Sequence, residues 1–243
     1  MPRRPRALVS VLAAAGSLAL ALALAPAPAS AQESCEPTLL SARDELTRAL
    51  EASETIARVA TDGHTVYAAL CRGAGYAFLL AEPASPSSGE LARRGLELAA
   101  RGRALAPGRV EAHYRYATCL GLYLREHPLA GITRVSELLS AARRAADLDG
   151  SYDRGGPHRL LARIYAEAPR LIGPGDHDLA RAHLARLLEV AGQDPENRLT
   201  AVCVHLAMGD EDEARRRLTA IDPGGLSEPL ARERARLARA LDD

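Results

Sequence analysis

Apolar residues recur along this chain with the period of a helix, and one arrangement appears four times. A large residue, a large and a small residue side by side, and a further mostly apolar residue stand at offsets 0, 3, 4 and 7. These offsets place all of them on one stripe of a helix. The four occurrences begin at Tyr67, His113, His158 and Leu199. Because the small position lets a neighbouring helix approach closely, the pattern predicts a stacked array of helices packed on both sides.

A second predicted helix follows each striped helix, and segments rich in Pro and Gly separate the pairs. No stretch shows the strict alternation or the β-branched clusters of strands, so the sequence predicts an all-α fold. Asp176 is expected to be the N-cap of one helix, and Asp194-Pro195 to open another. The helices are predicted at 39–60, 65–80, 90–105, 109–125, 132–148, from Gly155-Gly156-Pro157 to Ala168, at 177–191, from Pro195, at 211–221 and at 228–241.

The spacing of the repeat indicates helical hairpins of the tetratricopeptide type that carry insertions. Its small positions, Cys71, Ala117, Ala162 and Cys203, lie 46, 45 and 41 residues apart, against about 34 residues in tetratricopeptide repeats. HEAT-type arrays, with repeats of about 40–47 residues, are the alternative. The turn at Gly209-Asp210 has no insertion and favours the tetratricopeptide interpretation. The surplus is assigned to loops at Pro83–Gly89, His127–Gly131 and Pro169–Gly175.

The first 31 residues have the layout of a secretory signal peptide. Arg3, Arg4 and Arg6 precede an uncharged run over 7–25, and Ala29-Ser30-Ala31 is a small-residue cleavage pattern. We therefore predict cleavage after Ala31 and export to the bacterial periplasm, with no stable membrane insertion after cleavage. A retained anchor is the alternative, since the run nearly reaches the ~20 residues that span a bilayer. The predicted organisation is a signal peptide (1–31), an N-terminal segment and helix (32–60), a repeat array of about four hairpins (61–226) and a C-terminal capping helix (227–243).

The charge balance and the motifs of the chain limit the classes of function that the sequence supports. The chain has 31 basic residues, all arginine, and 31 acidic residues, and loss of the three leader arginines leaves a slight acidic excess. This balance gives no nucleic-acid signature. The sequence contains no His-Glu-x-x-His, Cys-x-x-Cys, phosphate-binding glycine loop or Gly-x-Ser-x-Gly motif. We predict a protein that is not an enzyme and that needs no cofactor or metal, and we interpret Asp176-His177-Asp178 as a helix start.

The four cysteines, Cys35, Cys71, Cys119 and Cys203, allow three connectivities if two disulfides form. Cys71 and Cys203 occupy the small position of the repeat, where cysteine also serves as a small apolar residue. Cys35 is the one outside a predicted packed helix. Cys35–Cys71 is therefore the bridge that the sequence favours, if any exists.

Several polar side chains on the striped helices are candidates for a ligand or partner groove. Tyr114 and Tyr123 fall off the packing stripe, and a cluster of tyrosines suits a pocket of mixed polarity. Arg159 and Arg163 lie one helical turn apart and could serve as counter-ions for an anionic ligand. The candidate set is Tyr67, Tyr114, Tyr123, Arg159 and Arg163; the alternative for the tyrosines is ordinary packing.

The stretch from Leu105 to Ile221 contains a distinctive series of short motifs: Val110-Glu111-Ala112-His113-Tyr114, Gly121-Leu122-Tyr123, the run Gly155 to Tyr165, Ala168-Pro169, Pro174-Gly175-Asp176, Pro195-Glu196-Asn197 and Met208-Gly209. With these motifs the stretch resembles the T component (TatT-type) family associated with TRAP transporters. The residues before this stretch match poorly. The resemblance implies an exported helical-repeat protein that assists ligand handling beside the solute receptor of a transporter, with lipid anchoring and oligomers known in the family. The residues before Cys35 lack a lipid-attachment motif.

Two functional hypotheses follow. The first is a periplasmic scaffold whose concave face, near the candidate set, binds a protein partner such as a TRAP receptor. The second is a direct binder of a small organic ligand in the same groove. A homo-oligomer is left open by the sequence.

Overall fold

The computed structural model describes Cys35 and residues 43–81, 87–168 and 175–242. The predicted signal peptide, the predicted helix start at Leu39 and most of the predicted loops at Pro83–Gly89 and Pro169–Gly175 lie outside the described residues.

Helices make up almost the whole of the described chain, and no strand occurs in it, which confirms the all-α prediction. None of the described helices is both long and apolar enough to cross a membrane. A short 3₁₀ turn at Pro223–Gly225 precedes the last helix. The helices are α1 (Arg43–Val59), α2 (Gly63–Leu80), α3 (Ser88–Leu105), α4 (Val110–Glu126), α5 (Pro128–Asp149), α6 (Tyr152–Glu167), α7 (His177–Ala191), α8 (Pro195–Ala207), α9 (Glu211–Thr219) and α10 (Glu228–Asp242).

The four striped helices form an inner layer. Each packs as a hairpin with the helix that follows it, giving the pairs α2/α3, α4/α5, α6/α7 and α8/α9. The first three also pack on the striped helix of the next hairpin, α2 on α4, α4 on α6 and α6 on α8. The Cys119 thiol on α4, for example, lies 3.6 Å from the Ala74 carbonyl oxygen on α2. The repeat seen in the sequence is therefore confirmed as a stack of helical hairpins.

The two kinds of helix differ in burial as their sequences predict. Helix α7 buries a single stripe, Ala180, Leu184 and Leu187, as expected for an amphipathic helix with one face in water. Inner helices such as α2 and α4 are buried on nearly every side, which is typical of a helix inside a core.

The ends of the stack are covered by the first and last described helices. Helix α1 buries Leu46 and Leu50 and packs on α2. Helix α10 contacts α8 and α9, and its Leu230, Leu237 and Leu241 join a common cluster with Leu199 and Leu218. The inner helices are thereby closed from solvent at both ends of the array.

Caps fix the starts of two helices where the sequence predicts them. The Asp176 carboxylate accepts hydrogen bonds from the backbone N–H groups of Asp178 and Leu179, and α7 begins at His177. Asp194 does the same for Glu196 and Asn197 at the start of α8. In both cases the side chain satisfies N–H groups that lack a partner inside the helix.

The predicted loop at His127–Gly131 is wrong. Helix α5 begins at Pro128, so His127 alone separates it from α4. Proline suits the first helical position because its missing N–H needs no partner there. The surplus spacing in this repeat consequently lies in α5, which runs for 22 residues, and not in an inserted loop. Helix α9 also ends earlier than predicted, at Thr219.

Candidate functional site

Four of the five predicted binding residues lie inside the fold. Tyr67, Tyr114, Arg159 and Arg163 are 3%, 6%, 6% and 8% exposed, whereas Tyr123 is only partly buried. Arg159 and Tyr114 are in contact with each other, and the remaining residues lie in separate surroundings. The five therefore do not line one open groove, and their role in binding stays a prediction.

Arg159 is the centre of a buried network that joins the three inner helices α4, α6 and α8. Its Nε lies 3.0 Å from Oε1 of Glu196, and its Nη1 donates to Oδ1 of Asn197 at 2.7 Å. Its Nη2 donates to Oδ2 of Asp153 at 3.0 Å. The Tyr114 hydroxyl donates to the same Asp153 oxygen at 2.8 Å. All three guanidinium nitrogens are thus used within the chain.

A second arginine extends this network on its outer side. Arg154 Nη1 lies 2.9 Å from Oδ2 of Asp194, and its Nη2 lies 3.3 Å from Oε2 of Glu196. Asn197 closes the arrangement, because its amide donates to the carbonyl oxygens of Arg154 and Ala191 at 2.9 and 3.0 Å. We call these residues the α6–α8 network: Tyr114, Asp153, Arg154, Arg159, Asp194, Glu196 and Asn197.

The network holds a backbone turn that L-residues rarely adopt. Asp153 and Arg154 have φ values of 49° and 55°, and Gly155 follows at 86°. The left-handed conformation costs non-glycine residues roughly 1–2 kcal/mol each. Because the Asp153 side chain and the Arg154 carbonyl are both bonded to α8 or to Arg159, the ion pairs and hydrogen bonds offset that cost. Regular α6 geometry resumes at Gly156, in line with the predicted opening at Gly155-Gly156-Pro157.

Close packing explains why Gly156, the next residue, must be a glycine. A Cβ atom at Gly156 would lie 2.6 Å from the Tyr114 hydroxyl oxygen. Only a residue without a side chain lets α4 and α6 come this close while the Tyr114 hydroxyl reaches Asp153.

Within the network, burial disfavours the charged form of each ionisable side chain, whereas a neighbouring opposite charge favours it. Burial raises the pKa of Glu196 to about 7, against the attraction of Arg159. Burial also opposes the charge of Arg159, but the neighbouring Glu196 outweighs it and raises the arginine pKa. We take the pair as ionised at neutral pH, because both Arg159 and Arg154 contact the Glu196 carboxylate. The network is a joint between repeats in which two arginines face three carboxylates, so both of its cations are already paired.

Arg163 lies one turn further along α6 and is paired differently. Its Nε and Nη2 both approach Oε1 of Glu167, at 2.6 and 2.5 Å. Burial raises the pKa of Glu167. Neither Arg159 nor Arg163 is an unpaired counter-ion of the kind that an anionic ligand needs.

Tyr67 belongs to a separate cluster with Cys35, Cys71 and Ala112. The Arg109 guanidinium carbon lies 4.9 Å from the centroid of its ring. A hydrogen bond between the thiols raises the pKa of Cys35 and lowers that of Cys71. All four cysteines are free thiols in the structure, but only this pair is brought together among the described residues. The Cys35–Cys71 disulfide stays a prediction.

Tyr123 is the predicted residue that remains accessible. Its ring centroid lies 4.4 Å from that of His127, and the Arg134 guanidinium carbon lies 5.8 Å from it. Leu129, in the first turn of α5, is 84% exposed, more than any other large apolar side chain that the structure describes. We call Tyr123, His127, Leu129 and Arg134 the α4–α5 corner.

Sequence reasoning missed several residues that the structure makes central. Asp153 and Arg154 support the network although neither falls on the apolar stripe, and Asp194, which the sequence predicts only as part of a helix start, also pairs with Arg154. Glu196 and Asn197 were noticed only as part of a family pattern. A signal was available, because a charged pair before Gly-Gly-Pro is unusual at a helix start and a buried arginine requires carboxylate partners.

Comparison with known proteins places these features in a family. The sequence pattern of the TRAP transporter T-component family matches residues 67–221, which include the whole α6–α8 network and the four hairpins except for the first turn of α2. The match begins at Tyr67, so it also takes in most of the first hairpin, which lies before the stretch that carries the sequence resemblance. A comparison with proteins of curated function finds no match. Since the matched residues make up more than half of the chain, the protein belongs to the TRAP transporter T-component family.

Proposed function

We propose that this protein is an exported, non-enzymatic scaffold that binds a protein component of a TRAP-type uptake system, its solute receptor. The family match over residues 67–221 is the observation that carries the proposal. The family is described by a part in transport and not by a reaction, which fits a chain whose arginine network is internally paired. The predicted signal peptide agrees with a site of action outside the cytoplasm.

The α4–α5 corner is the surface that we propose for the receptor. Protein interfaces are enriched in Tyr and Arg, and anchor side chains insert into pockets of the partner. Tyr123 and Arg134 are of the residue types that interfaces favour, and Leu129 is the exposed side chain that serves as the anchor. On this proposal Tyr67, Tyr114, Arg159 and Arg163 act by holding the shape of the array, because they are too buried to touch a large partner.

The proposal is tested by mixing the purified chain with the purified TRAP receptor that it accompanies and measuring their affinity by titration calorimetry. Leu129→Asp should weaken binding at least tenfold, since loss of a buried anchor costs about 2 kcal/mol or more. Val59→Asp is the matched control, because Val59 is also exposed, at 70%, but lies at the end of α1. Equal affinities of the two variants for the receptor would show that the interface lies outside the α4–α5 corner. If the unaltered chain does not bind the receptor, the receptor is not its partner.

A further inference from the structure

Beyond the α6–α8 network, helices α6 and α8 carry three buried polar atoms that no hydrogen bond satisfies. They are Nη1 of Arg163, Oε2 of Glu167 and Oγ1 of Thr200. The side chains of Arg163 and Glu167 are 9% and 6% exposed, and Thr200 is 1% exposed. We call these three residues the α6–α8 seam.

The two helices run in the same direction, since Arg159 on α6 contacts Glu196 on α8 and Arg163, further along α6, interacts with Cys203, further along α8. From this register we infer that Arg163, about one turn beyond Arg159, lies at the level of Thr200, about one turn beyond Glu196. Glu167 follows after another turn and is the last residue of α6. The seam is therefore the continuation of the α6–α8 network toward the end of α6.

Such a concentration of unsatisfied atoms is unusual, because buried polar groups in folded proteins nearly always have a partner. Nε and Nη2 of Arg163 both contact the same oxygen of Glu167. Nη1 of Arg163 and Oε2 of Glu167 are therefore left without a partner. The other buried threonine of the inner helices behaves differently. Thr118 Oγ1 donates to the Arg115 carbonyl oxygen at 3.1 Å. The seam thus presents a donor, an acceptor and a hydroxyl to something that the chain itself does not supply.

The charges around the seam decide what it accepts. Arg163 faces Glu167, and Arg236 on α10 is paired with Glu233 at 2.6 Å. Glu233 in turn accepts a hydrogen bond from the Cys203 thiol on α8 at 3.6 Å. Two cations therefore balance two anions, and all of these side chains except the half-exposed Arg236 are buried, so a further net charge beside Arg163 and Glu167 is costly. Burial raises the pKa of Glu167, which means that these surroundings disfavour a charged group.

We propose that the α6–α8 seam binds a small polar molecule of zero net charge that offers an acceptor to Arg163, a donor to Glu167 and either group to Thr200. Amino acids, as zwitterions, and hydroxy amides share this chemistry, whereas a simple carboxylate brings an uncompensated charge. The site is independent of the receptor interface that we propose at the α4–α5 corner, so either proposal can fail alone.

The first test asks whether the Thr200 hydroxyl is unsatisfied in the ligand-free protein. Thr200→Val removes the hydroxyl at nearly constant volume, and Thr118→Val is the matched control. Loss of the satisfied hydroxyl should lower the Tm of Thr118→Val by about 2–4 °C, while Thr200→Val should melt at the same temperature as the unaltered chain or higher. An equal loss of Tm in Thr200→Val would mean that water already satisfies the hydroxyl, and this would overturn the proposal.

The second test uses three probes of similar size in titration calorimetry with the purified chain: L-alanine, lactamide and lactate. We expect saturable binding of alanine, lactamide or both, and at least tenfold weaker binding of lactate. Thr200→Val should weaken the bound probe about tenfold, and Thr118→Val should not change its affinity. Alanine binding alone identifies the zwitterion as the ligand class, and lactamide alone identifies the hydroxy amide. Binding of lactate alone, or of no probe, would refute the proposal.

Discussion

At the scale of single residues, Arg159 shows how this chain uses a charge inside its core. The guanidinium contacts Asp153 beside it on α6 and Glu196 and Asn197 on α8, and the Tyr114 hydroxyl of α4 shares the same Asp153 oxygen. A buried ion pair is often no more stabilising than apolar packing, but removing one partner is strongly destabilising. Here the Arg159 ion pairs fix the backbone, because they hold three consecutive left-handed residues, Asp153 to Gly155, in place.

Gly156 gives a prediction at this scale. Gly156→Ala places a methyl group 2.6 Å from the Tyr114 hydroxyl oxygen, so Tyr114 must move and its bond to Asp153 must break. We expect a loss of about 2–4 kcal/mol in the free energy of unfolding, from overpacking and from a buried hydroxyl without its acceptor. Urea unfolding measures it. Gly108→Ala is the control, since nothing lies within 4 Å of its added Cβ, and a loss of similar size there would contradict the explanation.

Cys35 and Cys71 give a second prediction. In an oxidising compartment the two adjacent thiols should form a disulfide, in which each sulfur loses its proton and two electrons pass to an oxidant such as oxidised glutathione. Closing this loop should add roughly 3–4 kcal/mol to stability. Mass spectrometry after alkylation under non-reducing conditions should find Cys119 and Cys203 alkylated and Cys35 and Cys71 joined. Alkylation of all four residues in protein purified from the periplasm would show that the bridge does not form.

At the scale of helices, the hairpin of α6 and α7 contains a pair of histidines in contact. Nδ1 of His158 lies 3.0 Å from Nδ1 of His183, and the His183 ring stacks on Tyr165 with 4° between the planes. A hydrogen bond between two imidazole nitrogens requires that one of them be unprotonated. Burial lowers the pKa of both rings, with Arg186 acting on His158 and Arg143 on His183, and brings that of His183 to about 4.

This hairpin should lose stability in acid. Unfolded histidine binds a proton below its ordinary pKa of 6.5, while the folded pair resists doing so. Stability is therefore full above pH 6.5 and falls as the pH drops toward 4, by roughly 1–2 kcal/mol once solvent screening is allowed for. Urea unfolding of His183→Asn over the same range should show a smaller pH dependence than the unaltered chain. His64→Asn, at an exposed residue of α2, is the control. A pH dependence unchanged in His183→Asn would contradict this assignment.

Most of the helices could be predicted from the sequence, because apolar period and end signals agree. Asp176 and Asp194 cap where expected, and the stripe residues Leu161 and Ala162 are fully buried. The start of α5 was missed because proline both ends one helix and suits the first turn of another. The network escaped prediction for a different reason. Arg159 and Asn197 are 38 residues apart, and only the stacking of hairpins brings them together.

At the scale of the whole molecule, α8 joins the repeats, because its Ala201 and Val204 lie in the main apolar cluster while its Leu199 and Val202 lie in a second cluster with α9 and α10. Helix α10 covers the last hairpin through Leu230, Leu237 and Leu241. The network then connects that hairpin to α6 and α4. In open solenoids each repeat contacts only its neighbours and unfolding can start at an end. Here the end is closed by a helix whose three leucines are almost completely buried.

Leu237→Ala tests this coupling. Leu237 is 1% exposed, so its truncation should cost about 2–5 kcal/mol. We expect the melting curve, followed by circular dichroism, to shift to lower temperature as a single transition, because loss of α10 uncovers α8 and with it the α6–α8 contact. Arg239→Ala, at an exposed position of the same helix, should change stability by less than about 0.5 kcal/mol. An early melting step confined to a small helical fraction would show that α10 unfolds alone.

The Arg159 network also has a consequence for how such an array can change in length. Repeat proteins usually gain or lose units by duplication or deletion, since each unit presents the same faces to its neighbours. An extra hairpin between α5 and α6 would separate Tyr114 from Asp153, and one between α7 and α8 would separate Arg159 from Asn197. The first insertion would leave the buried Tyr114 hydroxyl without its acceptor, and the second would leave the charges of Arg159 and Glu196 buried without each other. The number of hairpins on this side of the molecule is therefore fixed by the bonds of one hydroxyl and one guanidinium group.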